Sequence, residues 1–289
     1  MNNLLQENIS LKDKCYYKTG GNARWYAEPS NISELKNILI WAKDKNIPFE
    51  TIGCGANVLI SDFGYKGLIV SLVSFEKDIK LQNDKTIYCG AGVKLIDFVD
   101  FAIKNSLKGA ENLSGIPGSI GGAVIMNAGA FGTEIKDIVS KIYIIDRFGI
   151  EKEISCKEAS FGYRSSKGLE GSIVTGAEFI LEKGSIEELS SYRSYILNRR
   201  REKQPLDKPS CGSVFKRPST GYAGEFIEKC GLKGFSHGGA VISDKHANFI
   251  LNHSNASSAD IKWLIDEAIK RVKDKFGVVL EPEVKFIGF

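Results

Sequence analysis

Three glycine-bearing turns carry the residue types best suited to chemistry: Gly53-Cys54-Gly55, Gly90-Ala91-Gly92 and Gly115-Ile116-Pro117-Gly118-Ser119-Ile120-Gly121-Gly122. Glycine admits positive φ and lets backbone N–H groups come close to a ligand. Several such groups in one turn make a concave anion site. The third turn runs on through Ala123-Val124-Ile125-Met126-Asn127-Ala128-Gly129-Ala130-Phe131-Gly132, so six glycines fall within eighteen residues. The apolar run Ala123 to Met126 divides two glycine clusters, a pattern that reads as loop, buried segment, loop. A phosphate-bearing ligand or a flat ring can lie against such a backbone. A tight crossing of backbones with no ligand gives the same pattern.

None of the three turns is a dinucleotide fingerprint of the Rossmann kind. Val58 and Leu95 stand where the third glycine of the first two turns belongs. No Gly-Lys-Ser/Thr occurs, which excludes a Walker-type loop. Three glycine turns in one half of the chain still suit a dinucleotide held by N–H groups from separate turns. Cys15, Cys54, Cys89, Cys156, Cys211 and Cys230 form no C-x-x-C pair, and His237, His246 and His253 lack acidic or cysteine partners at metal spacing. We therefore expect free thiols and no metal site.

The elements that must position these turns follow from periodicity and breakers. Ala23 to Ala27 reads as a strand, and Leu35, Ile38, Leu39 and Ala42 mark a helix that starts at Asn31 with Glu34 at capping-box spacing. Phe49 to Ile52, Val58 to Ile60, Leu68 to Val70 and Thr86 to Cys89 read as strands. A helix through Leu95, Phe98, Val99, Ala102 and Ile103 is expected to close at Gly109. Ile142–Asp146 and Ile150–Ile154 read as a hairpin linked by Arg147-Phe148-Gly149, Phe161 to Ser166 as a polar loop, and Ile173 to Leu181 as a strand. A helix from Glu187 to about Arg201 ends in Arg199, Arg200 and Arg201, cations that complement its dipole. A last helix runs from about Ser258 to Phe276 and stops at Gly277.

With 289 residues, 43% hydrophobic and 26% charged, the chain has ordinary globular composition and room for more than one domain. The net charge of +4 comes without a long Lys/Arg block, so a small anionic ligand is expected and nucleic acid is not. No apolar run approaches the roughly 20 residues of a membrane span, and the opening Met1-Asn2-Asn3-Leu4-Leu5 lacks the blocks of a signal peptide. A cytoplasmic protein without membrane partners is expected. Pro205 and Pro209 mark a boundary, and the expected units are 1–72, 73–202 and 203–289.

Taken in order, Gly53-x-Gly55-x-Asn57, Gly115 to Ala123, Asn127 to Gly132, Tyr163-Arg164, Gly212-Ser213-Val214-Phe215-Lys216 and Glu281-Pro282-Glu283-Val284 resemble the UDP-N-acetylenolpyruvoylglucosamine reductases (UDP-N-acetylmuramate dehydrogenases) of bacterial peptidoglycan synthesis. The resemblance spans nearly the whole chain. The central glycine run also resembles the wider vanillyl-alcohol-oxidase type of FAD-binding domain. The implied fold is α+β: a two-subdomain FAD-binding part of that type and a smaller α+β substrate-binding domain that closes over the flavin.

The resemblance implies an enzyme in which NADPH reduces FAD and the flavin then reduces the enolpyruvyl ether of a UDP-sugar. It maps the FAD contacts onto Gly53, Gly55, Ala56, Asn57, Gly90, Gly92, Gly115, Ile116, Pro117, Gly118, Ser119, Gly121, Gly122, Asn127 and Gly129. It maps substrate contacts onto Tyr163, Lys216 and Arg217, and the catalytic roles onto Arg164, Ser213 and Glu283. The roles make chemical sense. Hydride addition to the terminal carbon of an enol ether conjugated with a carboxylate leaves negative charge that spreads into the carboxylate. Arg164 can hold that carboxylate. Glu283 can help if it is protonated or hydrogen-bonded to the same group. Ser213 can deliver the proton. The cations Arg199, Arg200, Arg201, Lys203, Lys216 and Arg217 are candidates to face the diphosphate.

Two features depart from the common pattern. Ala56 stands where the family often has Ser or Thr, and only 49 positions separate Arg164 from Ser213, the short form without an inserted tyrosine-bearing loop. A monomer is expected. Two other functions compete at this stage: an FAD oxidase or dehydrogenase of the same binding fold acting on another small alcohol, and a non-catalytic nucleotide-sugar binding protein.

Overall fold

The computed structural model describes residues 4–146 and 148–289. Met1, Asn2, Asn3 and Arg147, the last being part of the expected hairpin link, lie outside the described residues. Two compact units divide the chain, and neither is one continuous stretch. The first takes Met1–Gln6, Tyr26–Cys54 and Leu68–Arg200; the second takes Glu7–Trp25, Gly55–Gly67 and Arg201–Phe289.

The first unit is built on a five-stranded antiparallel sheet, in the order Glu151–Ser155, Val139–Ile145, Ile173–Ile180, Thr86–Gly90, Ile79–Leu81. Alternation along these strands turns Ile87, Cys89, Ile142, Ile144, Ala177 and Phe179 into one core with helix α2 (Leu95–Lys104), where Phe98 and Phe179 lie 4.5 Å apart. Helix α1 (Ile32–Asp44) buries Leu35, Ile38, Leu39 and Ala42. Asn31 caps it by accepting from the Glu34 N–H at 3.0 Å. The Glu34 carboxylate reaches back to the N–H and hydroxyl of Ser30 rather than to Asn31, so the box closes one residue earlier than expected. Phe49–Ile52 pairs in parallel with Leu68 to Ser71.

Several local expectations need correction. The glycine stretch holds a short helix, α3 (Ile120–Ile125), where loop and buried segment were expected. Helix α2 ends at Lys104 with Asn105 as its cap, well before Gly109. The chain uses Leu107–Lys108 to pair with Glu182–Lys183, and Gly109, at φ +126°, turns it afterwards. Phe161–Gly162 and Ser165–Ser166 pair antiparallel, so Tyr163 and Arg164 sit at the tip of a tight hairpin rather than in a loose polar loop. The hairpin after Val139 is longer than its sequence pattern, Val139–Ile145 against Glu151–Ser155. Helix α4 (Ile186–Lys203) runs past both expected ends.

In the second unit, helix α5 (Ala223–Lys229) precedes a three-stranded antiparallel sheet of Ser236–His237, Ala240–Ile242 and Ile250–Asn252. Helix α6 (Ser258–Phe276) buries Ile261, Leu264, Ile265, Ala268 and Val272, and stops at Gly277 with φ +69°. Ser257 and Asp260 form its capping box, and the Asp62 carboxylate accepts from the Ser258 and Ala259 N–H groups at the positive end of the helix dipole. Lys285–Ile287 pairs in parallel with Val58–Ile60, a pairing that nothing in the local sequence announces.

Candidate active site

Within the first unit the glycine turns meet at the start of α3. A Cβ built on Gly53 stands 2.5 Å from Ser119 Oγ, and one on Gly122 meets only that same oxygen, at 3.9 Å. Ser119 is 1% exposed, and its hydroxyl makes no geometrically sound hydrogen bond among the described residues, although the Cys54 thiol lies within its reach. Burial pushes the Cys54 thiol up, against the hydroxyl and the lysines Lys94 and Lys77, which act in the opposite sense. A buried hydroxyl with spare capacity beside glycine backbone is what an added polar group would complete. The residues present therefore fit a phosphate oxygen of a cofactor at this edge.

Other glycines here have a different cause. A Cβ on Gly90 would stand 1.7 Å from the Glu76 carbonyl oxygen, and one on Gly92 2.0 Å from that of Phe75. Their N–H groups go to the carbonyls of Asp78 and Phe75, and the Gly121 N–H goes to Ala91. Gly90 and Gly92 are glycine because the protein's own backbone crosses there, a Cβ on Gly121 would meet the Ala91 methyl group at 3.0 Å, and the donors of all three are used within the unit. Gly115 (φ +75°) and Gly118 (φ +132°) hold left-handed conformations that carry the chain into α3. Ile116 packs against the core, and Pro117 precedes the Gly118 turn.

Arg164 stands at φ +52°, uncommon for a residue with a Cβ and typical of positions held by their surroundings. Its guanidinium donates to the carbonyls of Gly129 at 2.8 Å and, more weakly, Asn127 at 3.5 Å. The neighbouring Tyr163 ring lies 5.1 Å from the guanidinium carbon. Asn127, fully buried at φ +41°, ties this region together through both ends of its side-chain amide. Arg200, among the three arginines assigned to a helix end, is only 9% exposed. Its side chain packs at Gly115, its guanidinium lies 5.7 Å from the Phe131 ring, and burial lowers its pKa. A helix-dipole role alone does not require that burial.

The second unit gathers Asn57, Ser213 and Glu283, three segments far apart in sequence. The Glu283 N–H donates to the Val214 carbonyl at 2.7 Å, the Lys216 N–H to Glu281, and Phe215 faces Pro282. The Asn57 amide donates to the Glu283 carbonyl at 3.0 Å, and the Lys285 N–H returns to the Asn57 carbonyl. Ser213 and Glu283 are both partly exposed, with Val214, Phe215 and Val284 buried beside them. Gly55 is held at φ +70° with the Lys14 carbonyl 2.1 Å from where a Cβ would stand; Ala56 follows it with a side chain that has no hydrogen-bonding capacity. Lys216 is ion-paired with Glu281, and Arg217 lies 4.2 Å from the Tyr222 ring.

Asn248 was not singled out from the sequence. It accepts from the Phe215 N–H and donates to the Phe215 carbonyl, both at 2.9 Å, so one buried amide fixes the backbone two residues after Ser213. The available signal was a single polar residue inside the apolar run Ala247 to Leu251. Among the described residues no group of His, Cys, Asp and Glu can hold a metal ion, and no helix is long and apolar enough to cross a membrane.

Two family models match separate stretches of the chain. The family model for the UDP-N-acetylenolpyruvoylglucosamine reductase C-terminal domain matches residues 204–287, and that for an FAD binding domain matches residues 23–155. The UDP-N-acetylenolpyruvoylglucosamine reductase of Caldanaerobacter subterraneus subsp. tengcongensis is 43% identical over 282 residues, 97% of this chain and 93% of that protein. The one of Lactobacillus gasseri is 42% identical over 98% of this chain and 94% of its own. The crystal structure of UDP-N-acetylenolpyruvylglucosamine reductase from Thermus caldophilus superposes with a TM-score of 0.83 at 30% identity, over 96% of this chain and 97% of that one. Phl p 4.0202, a glucose dehydrogenase, shares the fold alone, with a TM-score of 0.50 at 14% identity over 63% of this chain and 42% of its own.

Proposed function

The chain belongs to the UDP-N-acetylenolpyruvoylglucosamine reductase family of oxidoreductases, with an α+β fold and an FAD-binding domain of the vanillyl-alcohol-oxidase type, and from that premise we propose that it reduces UDP-N-acetyl-3-O-(1-carboxyvinyl)-glucosamine to UDP-N-acetylmuramate with NADPH as hydride donor. In this reading the peptide segments 1–72 and 73–202 form the FAD-binding part and 203–289 the substrate-binding domain. The C-terminal family model, matched over residues 204–287, supports the last of these boundaries. The substrate is a small molecule; no nucleic acid or membrane partner is required, and the enzyme acts as a cytoplasmic monomer.

The observation that carries the reading is the hydrogen bond between Glu283 and Val214, which sets Ser213 and Glu283 in adjoining segments of one unit. FAD, when bound, supplies hydride transfer at N5. Ser119, Gly53, Gly118 and Gly122 would hold it at the start of α3, with Gly115, Ile116, Pro117 and Gly129 as further contacts. Gly90, Gly92 and Gly121 act by letting the floor of that site close up, since their N–H groups are committed to carbonyls. Arg164 binds the substrate carboxylate and stabilises charge as it develops there; its guanidinium is already oriented by two backbone carbonyls, so little reorganisation is needed. Ser213 delivers a proton to the carbon next to the carboxylate. Glu283, in its protonated form, donates a hydrogen bond to the same carboxylate. Tyr163, Lys216 and Arg217 contact the sugar nucleotide.

An anaerobic absorbance titration tests the reading. NADPH should bleach the flavin of the purified protein, and the UDP-enolpyruvyl sugar should restore its colour. A protein that stays colourless after addition of FAD, or whose reduced flavin ignores the enolpyruvyl sugar, does not perform this reaction.

A further inference from the structure

We propose that Asn127 is a positioning residue for Arg164, acting with Glu134, and not a contact to the cofactor. The inference rests on the reading of Arg164 as the group that holds the substrate carboxylate. Asn127 Nδ2 donates to Glu134 Oε2 and to the Gly162 carbonyl, both at 2.9 Å, and its Oδ1 accepts from the Lys136 N–H at 3.0 Å. A side-chain amide has only two N–H donors, and both are committed here. Any turn of this side chain toward a ligand breaks three bonds in a site with 0% exposure.

The partners show what the clamp is for. Gly162 is the last paired residue before the hairpin tip that carries Tyr163 and Arg164. The Asn127 side chain therefore holds the base of that hairpin, while its own carbonyl and that of Gly129 receive the Arg164 guanidinium. Both ends of Arg164, backbone and charge, are referred to one residue. Glu134 is fixed in turn by its ion pair with Lys136 at 2.6 Å and by a capping box with Asp137. The left-handed backbone at Asn127, φ +41°, is one that asparagine tolerates better than other residues with a Cβ. An asparagine at this position thus meets a backbone and a side-chain requirement together.

Displacing a substrate-holding group by about 1 Å costs roughly 10²-fold in rate. In the holoenzyme, Asn127→Asp removes both donors and sets a second carboxylate against Glu134. We expect substrate reduction to fall by about 10²-fold, mostly in kcat, with flavin reduction by NADPH and FAD affinity within about twofold. Adding Glu134→Gln should restore part of the loss, because the new amide can donate to the introduced carboxylate where the asparagine once donated to Glu134. Asn127→Gly keeps the left-handed backbone while removing the three side-chain bonds, and serves as the second variant if the aspartate destabilises the fold. Arg164→Lys is measured beside them. If Arg164→Lys leaves substrate reduction intact, the reading of Arg164 fails. If Arg164→Lys is slow while Asn127→Gly is normal, the positioning role is overturned. Equal loss of both half-reactions with loss of FAD from the Asn127 variants would make Asn127 a cofactor contact and also overturn it.

Discussion

Glu283 and Val214 are joined by one backbone hydrogen bond of 2.7 Å, across 69 positions of sequence. That bond sets the segment ending in Glu283 against the segment that begins at Ser213, and Asn248 and Asn57 lock one side each. The backbone that carries Ser213 is thereby fixed on both sides, which suits a proton donor that must act at fixed distance.

Replacing Ser213 by alanine should leave NADPH-driven flavin reduction intact and slow reoxidation by the enolpyruvyl sugar by about 10²–10⁴-fold, the usual range for general acid catalysis. Stopped-flow absorbance separates the two half-reactions. Equal losses in both would point to damage beyond the acid.

Arg164→Lys keeps the charge and loses the planar fork that binds a carboxylate through two parallel bonds. Substrate reduction should fall by about 10²–10³-fold, comparable to loss of one charge-stabilising donor. Steady-state kcat and KM for the UDP-sugar provide the check, with FAD content measured on the same samples.

The glycine positions separate two causes that one pattern had merged. Gly92→Ala forces a methyl group to 2.0 Å from the Phe75 carbonyl oxygen, and the backbone has no room to yield. It should destabilise the fold by more than about 4 kcal/mol. At Gly132 nothing lies within 4 Å of a built Cβ, so alanine there meets only the strain of φ +90°, about 1–2 kcal/mol. Urea denaturation of the two variants should rank them in that order.

Burial lowers the pKa of His246, and nearby Lys233 acts in the same direction; its Nδ1 accepts the Asn248 N–H at 3.2 Å, which requires the neutral ring at that nitrogen. The native state therefore binds this proton more weakly than the unfolded chain, whose histidines titrate near about 6.5. The associated stability is complete above that pH and is lost as pH falls through it toward the lower native value. The urea midpoint should drop between pH 7.5 and pH 5.5, and the drop should shrink in His246→Gln. An unchanged drop would assign it to other groups.

Local pattern carried a large part of the fold. The buried faces of α1, α2 and α6, the start at Asn31 and the stop at Gly277 are where periodicity and capping chemistry put them, because each depends on residues within a few positions of one another. The failures are where tertiary pairing overrode local signals. Leu107–Lys108 leaves α2 to pair with Glu182–Lys183, and Lys285–Ile287 finds Val58–Ile60. The candidate site was legible through family motifs more than through physics. Neither Asn127 nor Asn248 declares from sequence that its amide is spent on protein backbone, since that depends on partners that only the folded chain brings near.

The strand Val58–Ile60 has its partner 227 positions downstream, in Lys285–Ile287. At synthesis rates of about 5–20 residues per second, it leaves the ribosome roughly 10–45 s before that partner exists. Through that interval an apolar strand edge stands open to neighbouring nascent chains. Slowing translation without added chaperone should therefore raise the aggregated fraction even though the finished fold is unchanged.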